Sequence, residues 1–207
     1  MEILAYSCRA SPGITRLDDA AVIGASFAEP DRFASLFDRH APYIHRYLAR
    51  RVGRQAADDL VAETFLVAFG KRSRYDRRFP DARPWLYGIA TNLISQHRRE
   101  EARELRLRQT AGPAPVQHDH AERAALDVTA QSVRAPLAKA LAGLARSDRD
   151  VLLLIAWEQL SYDEVARALS IPVGTVRSRL HRARTQIREA LAGTPAAATY
   201  EEILTDE

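Results

Sequence analysis

Only one cysteine, Cys8, occurs among the 207 residues, which excludes an internal disulfide and a cysteine-rich zinc site. The N-terminal residues have neither the basic start nor the long apolar run of a signal peptide. The most apolar stretch, Val151 to Trp157, is too short to cross a bilayer. We therefore expect no integral membrane segment, and the sequence is typical of a soluble protein of the cytoplasm.

Sequence motifs of covalent catalysis are also missing. The chain contains no GxGxxG, no P-loop and no GxSxG motif. Asp58, Asp59 and Glu63 share a predicted helix, but no histidine or phosphate-binding loop is near them in sequence, and acids at a helix start commonly complement its dipole. The His-Asp-His triplet at residues 118–120 lacks further metal ligands nearby, so a solvated linker explains it better. We therefore expect that the protein is not an enzyme and that it has no cofactor and no metal site.

Positive charge is unevenly distributed, although the net charge is only +3. Lys71 to Arg108 holds 11 Lys and Arg against five acids, and Pro172 to Leu191 holds five arginines against Glu189 alone. Two separate basic stretches on a nearly neutral chain indicate a polyanion that is contacted at two places. Composition alone leaves a second interpretation open, namely ordinary arginine-rich helices with solvated surfaces.

The pattern of breakers and apolar periodicity predicts an all-α protein. Glycine is sparse, with 9 residues, while Ala, Leu and Arg are abundant, which favours helices. Two small helical domains, 31–104 and 136–192, are predicted on either side of a flexible linker, 105–135, that contains prolines and no apolar period. An irregular N-terminal extension, 1–30, and an acidic C-terminal tail, 193–207, complete the chain.

A predicted helix at about residues 56–69 has a buried and an exposed side at about 100° per residue. The buried side is formed by Leu60, Val61, Thr64, Phe65, Val67 and Ala68. The opposite side, which we call the acidic strip, consists of Asp59, Ala62, Glu63 and Leu66. An exposed leucine between carboxylates is commonly incidental, but it also suits a docking surface for a partner protein.

The second domain is predicted to contain a short capped helix followed by a basic helix. Ser161 and Glu164 have the spacing of a capping box at the start of the first of these helices. A tight turn at Ser170 and Ile171 leads into a second helix that starts near Pro172. This succession is the helix-turn-helix pattern, in which the second helix enters the DNA major groove.

The second of these helices has two contrasting faces. Its inner face is apolar and consists of Val173, Val176, Leu180, Ala183, Ile187, Ala190 and Leu191. Its outer face carries donors, hydroxyls and an imidazole, from Gly174, Arg177, Ser178, His181, Arg182, Thr185 and Arg188. Arginine binds guanine edges or phosphate, and hydroxyl groups can bind either. Because a capped helix precedes it, this face favours DNA binding over a merely solvated surface.

Taken together, the two domains resemble a sigma-70 family RNA polymerase sigma factor of the extracytoplasmic-function (ECF) group. The segments FASLFDRHAPYIHRYL, DDLVAETFLVAF and RPWLYGIATNLISQHRR are similar to region two of that family. The segment LARSDRDVLLLIAWEQLSYDEVARALSIPVGTVRSRLHRARTQIREAL is similar to region four. The segment PWLYGIATNL resembles a set of sequences that is common in high-GC actinobacteria.

The resemblance implies that the chain binds core polymerase and promoter DNA, with an anti-sigma factor as a further partner. The acidic strip would dock on the clamp helices of the β′ subunit, and the β flap is a second implied contact. The −10 element would be opened by Arg74, Tyr75, Arg77, Arg78, Phe79, Asn92, His97, Arg98 and Arg99. Tyr75 and Phe79 would either stack on bases or anchor the loop. The −35 element would be bound by Gly174, Thr175, Arg177, Ser178, His181, Arg182 and Thr185.

Two positions depart from the family pattern. Ala62 stands where many relatives have glutamine, and Gly88 stands where many have a basic residue. An alternative function also remains open, in which the chain is a helix-turn-helix regulator that binds an operator without polymerase. That alternative gives no purpose to the basic loop at residues 71–83 or to the acidic strip.

Overall fold

The computed structural model describes the backbone of residues 18–110 and 128–192, and the side chains of residues 18–107 and 135–192. The predictions for residues 1–17, for most of the linker and for the acidic tail lie outside these ranges, as does the His-Asp-His triplet. Every regular element within them is helical, which confirms the all-α prediction. None of the described helices is long and apolar enough to span a membrane.

The described residues form two helical units. The N-terminal unit contains α1 (Asp19–Ala25), α2 (Ala34–Val52), α3 (Arg54–Gly70) and α4 (Arg83–Thr110). The C-terminal unit contains α5 (Val128–Gly143), α6 (Arg146–Ala156), α7 (Tyr162–Leu169) and α8 (Val173–Leu191). Short 3-10 turns lie at Pro30–Phe33 and Arg72–Arg74. Helices α4 and α5 extend into the predicted linker from its two ends.

Helix α1 lies within the N-terminal extension that we predicted to be irregular, and the prediction is wrong for residues 19–25. The carboxylate of Asp18 accepts a hydrogen bond from the amide of Ala21 at 2.6 Å and caps the helix. Val22 and Ile23 are buried in the core. Seven residues are too few for the apolar periodicity that reveals longer helices, so the neighbouring proline and glycine breakers decided the prediction.

The rest of the N-terminal unit is a bundle in which α2 and α3 pack against each other and against α4. Helix α2 ends at Gly53, whose φ of 86° lies in the region that favours glycine. Tyr47 is fully buried between the helices, and this burial raises its pKa to about 12. Its hydroxyl accepts a hydrogen bond from Arg51 and lies 2.9 Å from the hydroxyl of Thr91 on α4.

The predicted helix-turn-helix is present in the C-terminal unit. The capping box is confirmed, because the amide of Glu164 donates to Ser161 Oγ at 3.3 Å and the amide of Ser161 donates to the Glu164 carboxylate at 2.8 Å. Ser170 ends α7 in the left-handed conformation, with φ of 53°. The basic helix α8 then begins at Val173 and packs against α7.

The inner face of α8 is buried as predicted at Val176, Leu180, Ala183, Ile187 and Leu191. Val173 is only partly buried, and the prediction is wrong for Ala190, which is exposed. Ala190 lines an open groove between α5 and α8, so no helix of the described ranges covers that side of the last turn.

Removing the capping box should destabilise the C-terminal unit. We expect Ser161→Ala to lower the free energy of unfolding by about 1 kcal/mol, because the amide of Glu164 loses its acceptor, Ser161 Oγ. The corresponding fall in melting temperature is about 2–4 °C for a chain of this size. Urea denaturation followed by circular dichroism measures the change, with Ser73→Ala as the control at an exposed serine in the basic loop. Equal stability of the two variants would contradict the role of the cap.

The two units are joined by packing as well as by the chain. Buried residues of both belong to one continuous hydrophobic core, and α4 packs directly against α7. An ion pair between Arg51 of α2 and Asp150 of α6, with a distance of 2.5 Å, adds a polar contact between the units.

Candidate polymerase and nucleic-acid interfaces

The acidic strip lies on the open side of α3. Asp59, Ala62, Glu63 and Leu66 are all exposed, and Leu66 is 69% exposed. The opposite side faces the bundle as predicted, with buried side chains at Leu60, Val61, Thr64, Phe65 and Ala68 and a partly buried one at Val67. The exposure that a docking surface requires is therefore present along the whole strip.

The basic loop between α3 and α4 presents three exposed arginines, Arg74, Arg77 and Arg78. Arg78 folds back onto Asp76, with Nη2 at 2.5 Å from a carboxylate oxygen. The hydrogen bonds from Arg78 lower the pKa of Asp76 to about 2. Arg74 and Arg77 form no ion pair within the part of the chain that the structure describes, so their charges are available to an external anion.

Both aromatic residues of the loop are engaged within the protein. Tyr75 is buried, its ring lies 5.0 Å from that of Trp85, and its hydroxyl donates to the carbonyl of Phe79 at 2.5 Å. Burial raises the pKa of Tyr75, so the hydroxyl remains a donor. Of the two roles considered for Tyr75, loop anchoring fits this position and base stacking does not. The half-buried ring of Phe79 lies 4.1 Å from the guanidinium of Arg167 on α7.

The predicted −10 residues on α4 fall on different sides of the helix. Asn92 and Arg99 are exposed and lie two turns apart on one face. His97 and Arg98 are partly buried, and Arg98 Nη2 donates to the carbonyl of Arg51 at 2.8 Å. Only Asn92 and Arg99 are therefore presented together on an open surface.

Asp19 of α1, which the sequence did not single out, fixes the C-terminal end of the basic loop. Its buried carboxylate accepts a hydrogen bond from the amide of Ala82 at 2.8 Å, and its amide donates to the carbonyl of Pro80 at 2.9 Å. The same carboxylate pairs with Arg39 and lies 2.8 Å from Nε2 of His40. Burial opposes ionisation of Asp19, but the contacts with His40, Ala82 and Arg39 outweigh it and lower its pKa.

The surroundings of Asp19 also explain a cluster of possible metal ligands. Asp19, His40 and Asp81 bring three ligand atoms within 4.8 Å of one another. Both carboxylate oxygens of Asp19 are already engaged by protein donors, so the cluster acts as a network that fixes the loop. The available sequence signal was the acidic pair at residues 18–19 directly before a small apolar run, which is a typical helix start.

The outer face of α8 is open along most of its length. Gly174, Arg177, Ser178, His181 and Arg182 are exposed, while Thr175 and Thr185 are partly exposed. Arg182 Nε and Nη2 each lie 3.1 Å from an oxygen of buried Asp148 on α6. Arg177 and His181 form no ion pair among the described residues, so they can approach DNA without breaking one.

Two family models match the chain. The model of sigma-70 region 2 matches residues 36–104, which cover α2, α3, the basic loop and most of α4. The model of sigma-70, region 4 matches residues 134–187, which include the helix-turn-helix. The chain therefore belongs to the sigma-70 family of RNA polymerase sigma factors.

Curated relatives show to which group of the sigma-70 family the chain belongs. The chain is 34% identical over 173 residues to the ECF RNA polymerase sigma factor SigL of Mycobacterium tuberculosis, covering 83% of this chain and 96% of the relative. It is 35% identical over 167 residues to the RNA polymerase sigma factor CarQ of Myxococcus xanthus, covering 78% and 90%. These relatives, with actinobacterial members among them, assign the chain to the ECF group.

Solved structures share the fold. The sigma factor RpoE of Bartonella quintana, determined in complex with the anti-sigma factor NepR, has a TM-score of 0.57 and 24% identity, covering 79% of this chain and 98% of that one. CnrH, determined with the cytosolic domain of CnrY, has a TM-score of 0.59 and 23% identity, covering 84% and 96%. Both agree with an arrangement of two helical units.

Proposed function

We propose that this sigma factor docks on the β′ clamp helices of core polymerase through the acidic strip. The exposed side chain of Leu66 offers an apolar anchor, and the adjacent carboxylates of Asp59 and Glu63 would pair with basic residues of the partner. The C-terminal unit would contact the β flap. The open groove between α5 and α8, which includes Ala140 and Leu144, supports this second contact.

We further propose that the basic loop and α4 hold the separated strand of the −10 element. Arg74 and Arg77 are exposed cations that can bind phosphates, and Asn92 and Arg99 extend this surface along α4. Phe79 would stack on a base once its ring is uncovered. Tyr75 would act indirectly, by holding the shape of the loop through its hydrogen bond to the Phe79 carbonyl.

The −35 element would be bound as duplex by the outer face of α8. Arg177 and His181 would make the main contacts with the −35 element, because both are exposed and neither forms an ion pair within the described ranges. Arg182 would contribute less, since it must give up two hydrogen bonds to Asp148 before it can bind DNA. Gly174 would let the helix start approach the DNA closely.

In this account the protein acts in the cytoplasm and performs no covalent chemistry, because binding energy supplies strand separation. We also expect an anti-sigma factor to hold it inactive, an expectation drawn from the family resemblance and from the partners of the two solved relatives. Co-purification of a stoichiometric partner that suppresses transcription would test that expectation.

The observation that carries the proposal is the presence of both sigma-70 regions in one chain. A regulator that binds an operator independently would need only the helix-turn-helix. Gel-shift assays with promoter fragments selected from a random library, with and without core polymerase, separate the two functions. We expect a specific complex only when core polymerase is present. Tight sequence-specific binding by the chain alone would support the regulator.

Within this function, Asp19 should position the basic loop for strand opening. We expect Asp19→Ala to slow open-complex formation about tenfold or more, because the loop loses a charged hydrogen-bond acceptor at Ala82. Permanganate reactivity of −10 thymines measures opening. Asp19→Asn should have a smaller effect, since it keeps one acceptor oxygen, and Asp31→Ala serves as the control at an exposed acid.

A template that is already opened at −10 separates positioning from general damage to the fold. The Asp19→Ala protein should regain most of its activity on that template, because strand opening is no longer required. An equal loss on duplex and pre-opened templates would contradict the positioning role.

A further inference from the structure

A row of basic and aromatic side chains follows the outer side of α2, and we call it the α2 track. It consists of Tyr43, Arg46 and Arg50 of α2 and Arg54 at the start of α3. The three residues of α2 are separated by three and four positions, so they share one face of the helix over about 10 Å. The track lies outside both basic stretches of the sequence and outside the residues proposed to bind the −10 and −35 elements.

The arginines of the α2 track carry charges that the protein leaves uncompensated. Arg46, Arg50 and Arg54 are exposed and form no ion pair within the described ranges. They line an open groove of about 460 Å³ together with Asp58 and His45. The carboxylate of Asp58 lies 2.9 Å from Nε2 of His45, at one side of this groove. Three arginines against a single carboxylate make the groove attractive to an anion.

A second groove connects the α2 track to the basic loop. It has a volume of about 340 Å³ and is lined by Tyr43, Arg46 and Arg83, among others. Arg46 lines both grooves, so they adjoin along α2. Arg83 is the last residue of the basic loop and the first of α4. The track is therefore continuous with the surface proposed for the −10 element.

Two aromatic rings lie among the arginines. Tyr43 is 48% exposed, and the guanidinium of Arg46 lies 5.3 Å from the centroid of its ring. Trp157 is partly exposed, and its ring centroid lies 5.3 Å from the guanidinium of Arg50. Proteins hold single-stranded nucleic acids in positively charged grooves where bases stack on aromatic rings. An acidic protein segment would use the arginines but not the exposed ring of Tyr43, so the combination favours a nucleic acid.

We propose that the α2 track binds the separated strand downstream of the −10 element, after this strand leaves the basic loop at Arg83. Naming that strand rests on the proposed function, whereas the affinity of the track for single strands does not. Upstream of the −10 element the DNA stays duplex as far as the −35 element, so the free single strand is on the downstream side. Arg46, Arg50 and Arg54 hold its phosphates, and Tyr43 supports a base. Because only a separated strand can bind in this way, the track favours the open complex.

The double variant Arg46→Ala/Arg54→Ala tests the affinity of the track for single strands. We expect it to bind a fluorescent oligothymidylate about tenfold more weakly than the wild-type chain does, because two phosphate contacts are lost. The plot of log affinity against log salt concentration should become shallower by about 1.4, at about 0.7 for each phosphate contact. Arg46→Lys/Arg54→Lys keeps both charges and should keep most of the affinity. Arg32→Ala/Arg188→Ala is the matched control, because it removes two exposed arginines outside the track.

Equal affinities of Arg46→Ala/Arg54→Ala and of the control would overturn the α2 track as a binding site. The substituted arginines are all exposed, so circular dichroism should show the wild-type helix content in both variants. Polyglutamate is the competitor that distinguishes the two kinds of polyanion. If it displaces the oligothymidylate at the same concentration as unlabelled oligothymidylate does, the assignment to nucleic acid is wrong.

Tyr43→Ala tests the stacking contact separately from the charges. We expect about fivefold weaker binding of the oligothymidylate, because a base loses its aromatic support, and no change in the salt dependence. Tyr43→Phe keeps the ring and should bind like the wild type. Wild-type affinity in Tyr43→Ala would contradict a stacking role for this ring.

Holoenzyme bound to templates already opened at −10 tests which part of the strand lies on the α2 track. In one template the non-template strand ends with the −10 element, and in the other it continues downstream. We expect Arg46→Ala/Arg54→Ala to lose affinity only for the longer strand; an equal loss on both templates, or none, would overturn the downstream assignment. If the wild-type chain fails to bind core polymerase while its affinity for oligothymidylate still depends on Arg46 and Arg54, the proposed function fails and the track stands.

Discussion

Replacing Leu66 by aspartate should weaken binding to core RNA polymerase about thirtyfold or more and abolish promoter-directed transcription. Leu66 is the most exposed large apolar side chain in the described part of the protein, and it lies on the same exposed side of α3 as the carboxylates of Asp59 and Glu63. An apolar anchor at the centre of an interface commonly contributes about 2 kcal/mol or more, which corresponds to about thirtyfold in affinity. The substitution also adds a third negative charge to the strip.

Fluorescence anisotropy of labelled sigma factor with core polymerase measures this affinity. Leu107→Asp is the matched control, because Leu107 is also highly exposed in the N-terminal unit but lies at the end of α4, away from the strip. We expect both variants to fold like the wild type, since neither leucine is buried. Equal loss of binding in both, or none in Leu66→Asp, would contradict docking through α3.

Replacing Arg177 by alanine should weaken promoter binding by the polymerase holoenzyme about tenfold, with the loss confined to the −35 element. An arginine that reads a base or phosphate in the major groove contributes about 1–3 kcal/mol, and Arg177 is exposed on the outer face of α8. Arg182→Ala should weaken promoter binding less, because Nε and Nη2 of Arg182 already donate hydrogen bonds to Asp148. This ranking follows from the structure and not from the sequence.

Base preference and salt dependence distinguish a base contact of Arg177 from a phosphate contact. A changed base preference at −35 in Arg177→Ala would indicate base readout, whereas uniform loss with a shallower salt dependence would indicate phosphate contact. Arg188→Ala is the control and should bind promoters normally, because this exposed arginine lies in the last turn of α8 and outside the residues predicted to contact the −35 element. A larger loss in Arg182→Ala or Arg188→Ala than in Arg177→Ala would contradict the proposed contact surface.

The elements that the sequence predicted best are those governed by local rules. The capping box at Ser161 and Glu164 depends on residues three apart, and the faces of α8 follow from helical periodicity. The acidic strip was found in the same way, because the buried face of α3 is set by its own spacing. At Ala190, where no described helix packs against the apolar side of α8, the same periodicity gives the wrong answer.

The features that the sequence did not predict depend on contacts between distant residues. Asp19 reads as an ordinary surface acid until α1 is placed beneath the loop, where it meets Ala82, 63 residues away. Tyr75 could equally be a stacking residue or an anchor until its ring is seen against Trp85. In the sequence, Gly88 stands out only as a departure from the family pattern, because the residue that it contacts, Ala168, belongs to the other helical unit.

Transcription from a library of randomised promoters, with core polymerase and this purified chain, tests the central claim most directly. The account predicts run-off transcripts that start at fixed positions downstream of two recurring sequence elements, and none from core polymerase alone. Leu66→Asp should abolish these transcripts, and Leu107→Asp should leave them intact. Failure of the wild-type chain to bind core polymerase, or transcripts that start without shared elements, would contradict it.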